Sequence, residues 1–214
     1  MKPQPLLILG TTPYALVFAD AFSDVPQFEV VGFVENLDRQ RCQQPHGGLP
    51  VHWIDDLAPL RETHGVICCL STTHRDRFVQ AVKVMGFAFA TLIHPTATVS
   101  KKSTVGEGTS LNIGCIVAGF TCVGRYVQVN RGVTIGHHTV IEDYVTIQPG
   151  ANIAGNCHLG PQTYLGIGAT VVDGIRIGAH SVVGAGAVVA QDVPDRVLVV
   201  GVPAKVVKEG IDGK

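Results

Sequence analysis

From Val99 to Val189 an aliphatic residue returns at every sixth position without a slip: Val99, Val105, Leu111, Val117, Val123, Val129, Ile135, Ile141, Ile147, Ile153, Leu159, Leu165, Val171, Ile177, Val183 and Val189. A period of six fits neither the 3.6-residue turn of a helix nor the two-residue alternation of an ordinary strand. It is a hexapeptide repeat, the signature of a parallel β-helix. Three hexads make one coil of 18 residues with a triangular section. Each aliphatic residue points inward and stacks on the one 18 positions later. Sixteen hexads give a little over five coils, a prism ~25 Å tall at ~4.8 Å per coil.

The other hexad positions follow from this register. Glycine or asparagine often comes one step after the aliphatic residue, as at Gly106, Asn112, Gly124, Asn130, Gly136, Gly160, Gly166, Gly178 and Gly184. The expected reason is a corner with backbone angles that most residues avoid. Four steps after it stand mostly small residues, including Thr109, Cys115, Thr139, Cys157 and Ala187, because the corner leaves little room. Both prism ends need caps. The preceding residues are expected over the first end, and the tail from Gln191 over the last.

Residues 1–95 read differently. Leu6 to Leu9 is a short apolar run closed by Gly10, as in a buried parallel strand. Ala15 to Phe22 reads as a helix with Pro13 near its first turn. Phe28 to Val34 and Gly65 to Leu70 read as strands, Arg75 to Met85 as a helix, and Phe87 to Ile93 as a further strand. The alternation implies a small Rossmann-like α/β unit with a parallel sheet. The chain therefore divides into an α/β unit at 1–95, a β-helix at 96–190, and a cap and tail at 191–214.

In such sheets ligands bind beyond the C-terminal strand ends. Three loops qualify: Gly10-Thr11-Thr12-Pro13-Tyr14, Glu35-Asn36, and Ser71-Thr72-Thr73-His74-Arg75. The first has one glycine, not G-x-G-x-x-G, so an NAD enzyme is disfavoured.

Composition narrows the function classes. A net charge of −1 gives no support for nucleic acid or an anionic membrane as partner. Charged residues make up only 15% and glycines number 25, which suits an all-β repeat. No stretch approaches the ~18 apolar residues of a membrane span. Met1 to Leu9 lacks a secretory h-region. The six cysteines, Cys42, Cys68, Cys69, Cys115, Cys122 and Cys157, have no zinc spacing and read as reduced thiols of a cytoplasmic protein.

Among outward positions of the prism, His137 and His138 stand out. They follow the Ile135-Gly136 corner and lie 18 residues from Gly119 and Phe120 on one side and Gly155 and Asn156 on the other. A histidine beside glycines faces open space, and imidazole is the default general base. The bland alternative is a solvated corner histidine. His137, His158 and His180 differ in hexad phase, so no metal site is expected. There is no G-x-S-x-G motif.

With these residues laid out, the chain resembles the bacterial nucleotide-aminosugar N-acetyltransferases and sialic acid O-acetyltransferase-like proteins of the hexapeptide-repeat class. The resemblance rests on Gly47-Gly48-Leu49-Pro50-Val51, Ile93-His94-Pro95-Thr96-Ala97, Asn130, His137, Pro149-Gly150-Ala151 and Gly201-Val202-Pro203-Ala204-Lys205. It implies a left-handed β-helix and a homotrimer with active sites between subunits. Acetyl-CoA would be the co-substrate and lie between neighbouring prisms, and the α/β unit would hold a nucleotide-linked amino sugar. His137 falls on the family's catalytic histidine, with His138 beside it where an acidic residue is usual. Gly10, Thr12, Pro13, Tyr14, Glu35, Asn36, Ser71 and Asn130 fall on sugar-nucleotide positions. Thr146, Gly155, Ile167, Ala185 and Lys205 fall on cofactor positions.

Three further departures separate the chain from the family pattern: Thr146 stands where a cofactor-contacting histidine is common, Tyr14 ends the first loop in place of a histidine, and Glu35-Asn36 replaces an acidic pair. Two alternatives stay open beside amino-sugar N-acetylation: O-acetylation of sialic acid or another non-nucleotide acceptor, and an inactive ligand-binding scaffold.

Overall fold

A computed structural model describes residues 2–214. The α/β unit contains strand β1 (Gln4–Leu9), helix α1 (Pro13–Ala21), β2 (Phe28–Glu35), β3 (Val51–Trp53), β4 (Gly65–Cys68) and helix α2 (Asp76–Lys83). The sheet is parallel with order β3-β2-β1-β4. Alternation along β1 sends Leu7 and Leu9 toward Phe78, Val79 and Val82 of α2. Leu6 and Ile8 pack on the other side with Phe18 and Phe22. Cys68 and Cys69 part in the same way, one to each side. Such two-sided burial is why these strands read as continuous apolar runs.

The β-helix has two-residue rungs on three faces. The first face carries Leu92–Ile93, Ser110–Leu111, Gln128–Val129, Thr146–Ile147, Tyr164–Leu165 and Val182–Val183, and Val197–Val200 extends it. On the second face lie Thr98–Val99, Ile116–Val117, Thr134–Ile135, Asn152–Ile153, Thr170–Val171 and Val188–Val189. Thr104–Val105, Cys122–Val123, Val140–Ile141, His158–Leu159 and Arg176–Ile177 make the third. The 18-residue register holds: Ile135 pairs with Val117 below and Ile153 above. From Leu111 to Val189 the inward ladder is buried in one continuous core.

Three expectations need correction. Phe87 to Ile93 does not form one strand. It makes a single bridge, Phe89 to Val66, and then diverges, so that Leu92–Ile93 becomes the first rung of the prism. The glycines one step after the aliphatic residue do not have the unusual backbone angles. Left-handed φ falls two residues later, at Phe120 (62°), Tyr126 (56°), His138 (54°) and Asn156 (56°) among others. Gly136 is instead required for space, because a Cβ there would lie 2.4 Å from the Ala154 carbonyl carbon.

The third correction concerns the cap. The α/β unit lies against the first face rather than over the first end, where Ile93 remains 38% exposed. This explains why the outward residues Ser110, Gln128 and Thr146 of that face are buried while their counterparts Ile116 and Val140 are exposed. Tyr164 on the same face is covered by Lys214 of the tail, with Nζ 4.3 Å from its ring centroid. At the far end Val193, Val197 and Val199 bury into the last coil.

The small residues four steps on are selected for more than size. The Thr121 hydroxyl donates to the Gly136 carbonyl at 2.7 Å and Thr109 to Gly124 at 2.8 Å, tying each corner to the next coil. Cys115 and Cys157 take the same place, with Sγ 3.1 Å from the Asn130 carbonyl and 3.2 Å from that of Val172.

Candidate active site

The corner between the second and third faces carries His137 and His138, both exposed. Room for the His137 ring comes from Gly155 in the next coil. A Cβ on Gly155 would lie 2.6 Å from His137 Cε1 and 2.8 Å from Nε2. Nε2 thus lies over a bare stretch of backbone, while Nδ1 is 3.1 Å from Nδ1 of His138. A neutral imidazole with a free nitrogen facing open space is what a general base requires.

The corner between the first and second faces carries Asn130, Ile167 and Ala185. Here the first loop of the α/β unit meets the prism. Asn130 Nδ2 donates to the Tyr14 hydroxyl at 3.2 Å. Burial pushes the Tyr14 phenol above its ordinary value, and the bond from Asn130 pulls it partly back. Asn112, one coil below Asn130, is buried at the same place and contacts Tyr14 too. It escaped the sequence reading, although its spacing of 18 from Asn130 was the signal. Ile167 is 61% exposed and Ala185 is exposed above it. Lys205 lies exposed on the antiparallel strand Lys205–Glu209 beyond the last coil.

The sugar-nucleotide candidates cluster at the strand ends of the α/β unit. Gly10 is buried with φ 120°, and a Cβ there would meet Leu70 at 2.8 Å. Thr12 and Pro13 are exposed at the start of α1, and Asn36 and Ser71 are half-buried. A cavity of about 210 Å³ opens beside this loop, lined by Thr11, Arg41, Gln44, Pro45, His46 and Val51. Glu35 is turned inward. One carboxylate oxygen accepts the backbone N–H groups of Asn36 (2.9 Å), Leu37 (2.8 Å) and Asp38 (3.4 Å). The other takes the Thr11 hydroxyl and Arg41. Burial would raise its pKa, but the Thr11 and backbone donors outweigh it and hold the carboxyl below the usual range.

Thr146 lies apart from both corners. It is 1% exposed on the face beneath the α/β unit, and Arg75 Nη1 donates to its hydroxyl at 2.7 Å. Arg75 itself is fully buried. Its remaining donors reach the carbonyls of Thr72 (2.7 Å), Tyr126 (3.1 and 2.7 Å) and Val145 (2.9 Å). All five N–H groups are used, every acceptor is neutral, and no carboxylate pairs with it among the described residues. Burial lowers its pKa to about 10, which leaves it charged at neutral pH.

The other prism histidines do not join His137. His158 Nε2 is 2.5 Å from Glu142, and His180 Nδ1 is 3.1 Å from Asp212. Among the described residues no three His, Cys, Asp or Glu side chains gather as a metal site requires. No described helix is long and apolar enough to cross a membrane.

No protein-family model and no curated protein matches the chain. Solved structures do. A variant of perosamine N-acetyltransferase from Caulobacter crescentus, with one histidine replaced by asparagine, was solved in complex with CoA and GDP-perosamine. It is 27% identical over 96% of this chain and 97% of that one, with a TM-score of 0.86. The acetyltransferase domain of PglB from Neisseria gonorrhoeae, solved with acetyl coenzyme A, is 27% identical over 96% of this chain and all of that one, with a TM-score of 0.86. WeeI from Acinetobacter baumannii is 25% identical over 94% of this chain and 99% of that one, with a TM-score of 0.82. The resemblance read from the sequence therefore holds along the whole chain, and the chain is a hexapeptide-repeat acyltransferase.

Proposed function

We propose that this acyltransferase moves an acetyl group from acetyl-CoA to the 4-amino group of a nucleotide-linked amino sugar, with His137 as general base. The observation that carries the reading is the match over 96% of the chain to an enzyme solved with CoA and GDP-perosamine. In the reaction the sugar nitrogen bonds to the thioester carbonyl carbon as Nε2 of His137 takes its proton. The C–S bond then breaks, and the departing thiolate takes up that proton as free CoA.

The placement of the candidates supports a homotrimer. His137 and Gly155 share one corner of the prism, whereas Asn130, Ile167, Ala185 and the Tyr14 loop share another. One chain does not bring the two sets together. A second copy, its His137 corner set against the Asn130 corner of the first, would complete a groove for pantetheine lined by Gly155, Ile167 and Ala185. Lys205 at its far end would meet the anionic part of the cofactor. Gly10, Thr12, Pro13, Asn36 and Ser71 would face the nucleotide. Thr146 acts in this reading through Arg75, by fixing the α/β unit on the prism rather than by touching the cofactor.

A second reading is favoured by one observation. The Glu35 acceptors are committed to its own loop, Thr11 and Arg41, so this carboxylate has little left for a ribose. That fits O-acetylation of a sialic acid or another acceptor without a nucleotide. The test is CoA thiol release from acetyl-CoA with a panel of nucleotide-linked amino sugars and free sialic acids. Turnover only with the nucleotide-linked amines supports the first reading, and turnover only with free sugars supports the second. No release with any acceptor favours an inactive scaffold.

A further inference from the structure

Two imidazole nitrogens 3.1 Å apart, such as Nδ1 of His137 and Nδ1 of His138, need one proton between them, since two lone pairs or two N–H groups repel. The rings stand nearly perpendicular, at 83°. His138 is fixed independently. Its backbone N–H donates to the Gly119 carbonyl at 3.1 Å. Its ring stacks on Phe120, centroids 4.9 Å apart and planes 21° from parallel. Phe120 and His138 occupy the same left-handed corner position in successive coils, with φ of 62° and 54°, so the repeat itself superposes their rings. The charged groups facing this pair are Lys102, with Nζ 4.9 Å from the Phe120 centroid, and Asp173, held by Asn156 above Gly155.

We propose that His138 is a positioning residue that selects the tautomer of His137. It accepts the Nδ1 proton of His137 at its own Nδ1 and carries its own proton on Nε2. His137 is thereby left with a free Nε2, the nitrogen lying over Gly155. The opposite arrangement, with His138 donating, would place a proton on His137 Nε2 and remove the base. Phe120 holds the His138 ring in the plane that makes this contact. The inference rests on His137 being the base. It differs from pairing with a carboxylate in that the acceptor brings no charge, so the positive charge formed during the reaction is shared across the Nδ1–H···Nδ1 bond.

The test is ¹⁵N-histidine NMR on the whole protein, with resonances assigned through His137→Gln and His138→Gln, beside steady-state kinetics. The expected result is protonated Nδ1 and bare Nε2 on His137, with the reverse on His138. His138→Phe keeps an aromatic ring but removes the acceptor. It should lower kcat by ~10²-fold with little change in either KM, and His137 should then show protonated Nε2. His138→Asn, whose Oδ1 can accept, should restore much of kcat. Protonated Nε2 on His137 in the parent protein, or an unchanged kcat in His138→Phe, overturns the proposal. The spectra read the tautomers without turnover. Retained activity in His137→Ala would therefore sink the general-base reading while leaving the tautomer measurement to be judged separately.

Discussion

Asn130 on the prism and Tyr14 on the first loop of the α/β unit are 116 residues apart in sequence, and the Asn130 amide donates to the Tyr14 hydroxyl at 3.2 Å. The contact moors the loop proposed for the sugar nucleotide to one corner of a rigid ladder. Asn130→Ala should leave KM for acetyl-CoA within about twofold and raise KM for the sugar substrate ~10-fold, a loss near 1.4 kcal/mol. Steady-state kinetics with each substrate varied in turn is the check, and equal rises in both values would count against the assignment.

His137→Ala removes the proposed base without touching the core, since the residue is exposed at its corner. A drop in kcat of ~10²–10⁴ is expected, with an unchanged thermal transition. Most of the activity surviving on the true substrate would end the general-base role.

Arg75 makes five hydrogen bonds to neutral acceptors, four of which join the two halves of the chain while the fifth goes to Thr72 in its own unit. Arg75→Met strands the carbonyls of Thr72 and Tyr126 and should cost about 2–4 kcal/mol. At this chain length that lowers Tm by roughly 5–10 °C. Arg75→Lys separates the contributions of charge and geometry. Three donors on a flexible stem do not replace a planar fork of five, so lysine should recover less than half of the loss in calorimetry.

Glu35 is held below the usual carboxylate range, so folding favours its ionised form. The sign follows from linkage: the stabilisation is fully present above the ordinary value of 4.5 and fades as pH falls through the lowered folded value. Glu35→Gln should therefore cost about 1.5–3 kcal/mol at pH 7. The gap between parent and variant should narrow below pH 4.5 in urea titrations across pH. A gap independent of pH would mean that packing, not charge, sets the effect.

The ladder from Val99 to Val189 was readable because one side-chain class repeats at one spacing, and that register also located His137 beside Gly155. What the spacing hid was anything set by the docking of the α/β unit. Ser110, Gln128 and Thr146 look like solvent-facing rungs, yet they are buried because a second body lies on that face. Arg75 read as an ordinary helix start, since nothing local tells that its acceptors come from Tyr126, Val145 and Thr146. The Phe87–Ile93 run satisfied strand propensity but has a partner only at Val66 before its chain turns into the first coil. Propensity names a preference, and available edges decide pairing.

The division of candidates between two corners leads to one more experiment. In a homotrimer each site would combine the His137 corner of one subunit with the Asn130 corner of the next. His137→Ala and Ile167→Arg are each expected to be nearly inactive alone, the second because a long charged side chain on the Asn130 corner would fill the proposed pantetheine groove, where Ile167 is 61% exposed. Co-expression should mix subunits at random. About a quarter of the interfaces would then pair an intact His137 with an intact Ile167 across the closed ring. Activity should return to roughly that fraction of the parent value. A site contained within one chain would contain one defect in every copy, and no activity would return. The recovery must also depend on mixing before assembly, because subunits already locked in separate rings cannot exchange corners. Combining the two purified variants should restore nothing until the rings are dissociated and reassembled.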